Sequence, residues 1–106
     1  MFTATHNSVV VVAARVYGAG MFAVELVFAD DDRRLAARPA HREHLAGLHA
    51  DGRLVMAGPW TDDSGALLLF ATDRAGVDEI LATDPYYVTP GVTVAAVHEW
   101  RPIIGA

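Results

Sequence analysis

Met21-Phe22-Ala23-Val24-Glu25-Leu26-Val27-Phe28 decides the fold. Phe22, Val24, Leu26 and Phe28 fall on one face and Ala23 and Glu25 on the other, the two-residue period of a half-buried strand. Asp30-Asp31-Asp32 stops it, because aspartates favour turns and helix starts over strand interiors. The next element reads as a helix from about Pro39 to Asp51. Pro39 suits a first turn, where its missing N–H is no loss, Leu45 and Leu48 form an apolar stripe, and Gly52 terminates. A separate, weaker helical turn through Arg33, Arg34 and Leu35 precedes it. Arg53–Ala57 reads as a second strand closed by Gly58-Pro59. The turn-rich Trp60–Gly65 then leads into Ala66–Thr72, a nearly continuous apolar run of the kind expected when both faces of a strand are covered.

Asp73 is placed to cap a second helix over Arg74–Thr83, whose Val77, Ile80 and Leu81 stand at i, i+3 and i+4. Asp84-Pro85 ends that helix, since a residue before proline is pushed out of the helical region. Val92–Arg101 is the last strand, with Val92, Val94, Ala96, His98 and Trp100 expected on one side. From Met21 onward the order is β-α-β-β-α-β, an α+β fold of the ferredoxin-like type with two helices on one face of an antiparallel sheet. The other sheet face needs cover, and a second copy of the same sheet is the simplest source.

At 106 residues and 53% hydrophobic content the chain suits one domain. Residues 21–106 form that domain. Residues 1–20 read as an extension: either an extra strand over Val9–Tyr17, broken by Gly18-Ala19-Gly20, or a loosely attached arm. An added strand would have to reach a sheet edge or a partner subunit, because the Met21–Phe28 strand is central in this topology.

The formal charge of −5 argues against a nucleic-acid partner. The absence of cysteine excludes disulfides, thiolate nucleophiles and Cys-ligated metals. No apolar run approaches a bilayer span, and Arg15 follows the Val9–Ala14 apolar patch where a secretory signal would carry its charge in front. No membrane association is expected, and the chain reads as cytoplasmic. G-x-G-x-x-G, P-loop and G-x-S-x-G patterns are all missing, and Ser64 has no evident base partner. No cofactor is implied.

Two titratable side chains stand out. His41, on the first helix, has an imidazole able to take and give a proton near neutrality. Asp84 is fixed before Pro85 at the negative end of a helix, where a carboxylate is unfavourable unless a donor offsets it. His41 is the candidate donor; a surface histidine and a simple helix stop are the plain alternatives. His41 and His44 share a helix face, but His49 lies at an unsuitable offset and no zincin pattern is present, so no metal site is expected. Arg38, one turn before His41, either holds an anionic group or caps an acidic loop such as Asp30–Asp32. Trp60 and Tyr86, beside the Gly58-Pro59 and Asp84-Pro85 turns, either line a pocket or pack loops over the core. His98 belongs to a dimer interface or a pocket wall.

Arg38-Pro39-Ala40-His41, then Gly52-Arg53-Leu54 and Ala57-Gly58-Pro59, then Asp84-Pro85-Tyr86, together resemble the YciI-like (YCII-related) family of the dimeric α+β barrel superfamily. The resemblance spans nearly all of Met21–Ile103. It implies a homodimer with sheets packed face to face, a small-molecule pocket between sheet and helices, and a paired histidine and aspartate at His41 and Asp84. On this reading the chain is a small cofactor-independent isomerase or lyase. His41 would act as general acid/base and Asp84 as its orienting counter-charge, with Arg38, Gly58, Pro59, Trp60 and Tyr86 as substrate contacts. The alternative is a non-catalytic binding or assembly module of the same fold; a monooxygenase, as found elsewhere in the superfamily, suits the sequence less well.

Overall fold

A computed structural model describes residues 20–105. The extension over residues 1–20, with the expected Val9–Tyr17 strand, lies almost wholly outside them. The elements run β1 (Phe22–Phe28), α1 (Asp32–Ala50), β2 (Leu54–Pro59), β3 (Gly65–Phe70), α2 (Arg74–Thr83), a short 3₁₀ turn (Pro85–Val88) and β4 (Val92–Glu99). The sheet is antiparallel with order β2-β3-β1-β4, so β1 is central and β2 and β4 are its edges. This is the α+β ferredoxin-like arrangement expected from the pattern of residues.

The core lies between the sheet and the two helices. Val24 and Leu26 from β1, Leu68 and Phe70 from β3, and Val77 from α2 are its most enclosed side chains. Leu67 and Leu69 on the opposite face of β3 are only half-buried. Within the single chain, full cover of β3 comes from the helix side.

Two expectations need correction. The first helix does not begin at Pro39: one continuous helix runs from Asp32, capped by Asp31, whose side chain accepts the Arg33 N–H at 2.9 Å. Pro39 sits inside it, on an exposed position where water can satisfy the carbonyl freed by its missing N–H. Arg34 and Arg38 brace the turns around it from the other side, both bonding Asp63. The helix ends as expected at Gly52, which adopts φ 89°. Gly52 N–H bonds His49 O and Arg53 N–H bonds Leu48 O, the paired bonds of a Schellman motif.

The second correction concerns β4. Glu25 faces Ala96 but Leu26 faces Val94, so Ala95 is an extra residue in a β-bulge. Val97 consequently pairs with the buried Val24 on the core side. Ala96 and His98 turn to the open face, opposite Glu25 and Ala23. Strict alternation through His98 cannot survive a one-residue insertion, because side chains in a strand change face at every step.

Candidate active site

His41 and Asp84 are brought together by elements far apart in the chain. His41 stands on the inner face of α1 and Asp84 at the junction of α2 and the 3₁₀ turn, and each is only 6% exposed. Their side chains meet with His41 Nδ1 2.6 Å from Asp84 Oδ2. Asp84 ends α2 through its N–H to Ile80 O, then caps the next turn by accepting the Tyr86 N–H on Oδ1 at 2.9 Å. Each carboxylate oxygen thus has a donor. The unfavourable end of the α2 dipole is offset by an imidazole and an amide.

The imidazole is sandwiched as well as bonded. Tyr86 stacks on it with ring centroids 3.9 Å apart and planes 10° from parallel. Tyr87 meets it edge-on at 5.3 Å. Burial pushes the His41 pKa below its ordinary value, overriding the opposing pull of the Asp84 carboxylate. The folded imidazole is therefore neutral near pH 7. An ionised carboxylate only accepts, so Nδ1 carries the proton and donates it to Asp84, leaving the lone pair on Nε2. The Tyr87 hydroxyl is buried without a hydrogen-bond partner among the described residues, and burial raises its pKa far above the usual tyrosine range.

His41 lies in the wall of a cleft of about 490 Å³ between α1 and the β2 side of the sheet. Its floor is apolar, with Leu26, Phe28 and Leu68 from the central strands. Gly58 and Pro59 border it from edge strand β2, and Arg38 and Tyr86 also reach it. Trp60 does not line the cleft. Its ring lies instead over Gly65 in the β2–β3 hairpin, closed by Trp60 N–H to Gly65 O at 2.9 Å. Gly65 is needed there, since a Cβ would strike the Leu26 carbonyl and crowd the indole at 3.1 Å.

Arg38 does not cap Asp30–Asp32. Its Nη2 donates to both oxygens of Asp63, at 3.2 and 3.0 Å, while Arg34 reaches Oδ2 of the same carboxylate at 3.3 Å. Hydrogen bonding from Arg38 holds the Asp63 carboxyl below its ordinary pKa. Arg34 is buried, with its guanidinium 4.4 Å from the centre of the Phe28 ring. Asp63 adopts φ 58°, which aspartate tolerates better than most residues. Neither Arg34 nor Asp63 was singled out from sequence. Their signal was the i, i+4 spacing of Arg34 and Arg38, which becomes visible only once the helix is extended back to Asp32.

His44 lies apart from the cleft, on a groove shared with Leu48, Arg53 and Glu79, whereas His49 borders the end of the cleft. Among the described residues no three His, Asp or Glu side chains gather in a way that would hold a metal ion. No helix among them is long and apolar enough to cross a membrane.

A ferredoxin-like sheet carrying a buried histidine–aspartate pair at the wall of a small apolar cleft defines a class of small α+β domains. The model of the YCII-related domain matches residues 16–101, most of the chain, and the protein belongs to that family. The match begins ahead of β1 and takes in both His41 and Asp84. No curated protein matches the chain.

Proposed function

We propose that the protein is a small isomerase or lyase that needs no cofactor and moves a proton with the His41–Asp84 pair. The observation carrying this reading is the 2.6 Å contact of the buried Asp84 with His41, the member of the pair that lines the cleft. With Nδ1 committed to Asp84, Nε2 is the basic atom available to a bound molecule. His41 takes a proton from a carbon or a hydroxyl of the substrate and returns it elsewhere, which shifts a double bond or completes an elimination. When His41 becomes an imidazolium, the Asp84 carboxylate stabilises the new charge without moving. Tyr86 holds the ring plane by stacking, so Nε2 keeps one direction. The apolar floor suits a small cyclic or aromatic body.

A homodimer through the open sheet face fits this reading. Val27 is 47% exposed there, and Leu67 and Leu69 are half-buried beside it. The net charge of −5 and the lack of cysteine fit a cytoplasmic setting without a nucleic-acid partner.

The test is solvent-proton exchange. Carbon acids that fit the cleft are incubated with the protein in D₂O, and deuterium incorporation is followed by NMR. Exchange or product formation that falls roughly 10²–10⁴-fold in His41→Gln and Asp84→Asn supports the mechanism. Full rates in either variant overturn it. Saturable binding with neither exchange nor product would instead assign the domain as a binding module.

A further inference from the structure

The cleft departs from the rest of the molecule in charge. The chain has thirteen acidic residues against eight Lys and Arg. Yet Arg38, His41, Arg42 and His49 border the cleft, and no Asp or Glu does. All four lie on α1, and Arg34, Arg38 and Arg42 repeat at four-residue intervals along it. Residues four apart lie on one helix face, about 6 Å apart along the axis.

The local count of charge is uneven. Arg34 and Arg38 share the single carboxylate of Asp63. Arg42 is exposed and pairs with no acidic side chain among the described residues. Of the two guanidinium groups that line the cleft, Arg38 shares Asp63 with the buried Arg34 and Arg42 has no carboxylate among the described residues, so this wall carries net positive charge. Asp84 does not cancel it from within the cleft: it lies behind His41, with its oxygens taken by Nδ1 and the Tyr86 amide.

We infer that the cleft selects a small apolar monocarboxylate, with its acid group held by Arg38 and Arg42 and its hydrocarbon body on Leu26, Phe28 and Leu68. This rests on the proposed chemistry only in naming what His41 would act upon. The recognition itself needs no proton transfer. A guanidinium fork matches a planar carboxylate. The basic side chains of the lining come from the middle and C-terminal turns of α1 rather than its N-terminus, and the Tyr86 N–H at the start of the 3₁₀ turn is already given to Asp84, which disfavours a phosphate. A floor of aliphatic and aromatic side chains likewise favours an apolar body over a sugar.

The experiment compares benzoate and phenylacetate with benzamide and phenylacetamide, and with inorganic phosphate, by calorimetry on the full chain. Each acid is expected to bind roughly ten-fold or more tightly than its amide at low salt. The preference should weaken as salt is added. Arg42→Gln, which leaves the Asp63 cluster intact, should lose most of it, and Arg38→Gln/Arg42→Gln all of it. His41→Gln should keep it, which separates this inference from the proton-transfer reading. Equal binding of acids and amides, phosphate outcompeting the acids, or no acid binding at all overturns the inference. Asp84→Asn could still abolish proton exchange in any of those cases. Loss of the acid preference in His41→Gln alone would also overturn it, by making the imidazole the anion's partner.

Discussion

Helix α1 is tied to the rest of the molecule by two charge pairings of opposite character. At His41 the partners are both buried, meet one to one at 2.6 Å, and the burial that encloses them keeps the imidazole neutral. At Asp63 one carboxylate, 40% exposed, serves two arginines at 3.0–3.3 Å. The first pairing sets a neutral imidazole in the wall of the cleft, while the second fixes permanent charge beside it. Solvent access makes the difference. A buried pair is poised because its charge state is costly to change, whereas a wetted cluster holds its charge regardless and acts through position.

The largest effect should come from breaking the buried pair. In Asp84→Asn the carboxamide oxygen can still accept the Tyr86 N–H, but its NH₂ would then donate to His41 Nδ1, which favours the wrong imidazole tautomer and does not stabilise an imidazolium. Deuterium exchange into a bound carbon acid should fall by roughly 10²–10⁴-fold while far-UV circular dichroism stays unchanged. Breaking the wetted cluster should act on stability instead. Asp63→Ala leaves the Arg34 guanidinium buried without its carboxylate. Chemical denaturation should show a lower unfolding midpoint than wild type, by less than breaking a fully enclosed pair would cost, because Asp63 is partly solvated.

pH sharpens the same contrast. The folded His41 pKa lies below its unfolded value of 6.5, so as pH falls the unfolded chain takes up that proton first. The contribution of His41 to stability is fully present above pH 6.5 and is lost as pH drops through the lower folded value. Wild type minus His41→Gln should therefore show a stability difference that shrinks on acidification, and the acid limb of the exchange rate should turn below pH 6.5. A difference independent of pH between 5 and 7 would contradict the neutral imidazole. The smallest effect belongs to Tyr87. Its orphaned hydroxyl costs desolvation without a bond in return, so Tyr87→Phe should be neutral or stabilising by up to about 1 kcal/mol in the same denaturation experiment.

Much of the fold was readable because its signals are local. The alternation over Phe22–Phe28, the Asp73 cap, the Gly52 stop and the Asp84-Pro85 break each act within a few residues, and every element but the start of α1 stands close to its expected place. Pro39 misled because proline is welcome in a first turn but also tolerated within a helix at an exposed position. The Asp31 cap and the bonds from Arg34 and Arg38 to Asp63 settle it for the second case. The bulge at Ala95 was hidden for a similar reason. Val94-Ala95-Ala96-Val97 is apolar throughout and carries no mark of which residue is extra. His41 and Asp84 could be singled out by residue type and resemblance, but Arg34, Asp63 and the cleft charge of Arg42 could not. Trp60, placed beside a Gly-Pro turn by sequence, covers Gly65 rather than the cleft.

By itself the sequence determined the order of the elements, their amphipathic faces and the family, since these follow from short-range periodicity, turn chemistry and capping. Tertiary structure alone decided which nitrogen of His41 carries the proton, which carboxylate serves Arg38, and that the basic residues of α1 border one cleft. Those properties depend on distance and burial between residues some twenty-five to forty-three positions apart, which no local pattern encodes.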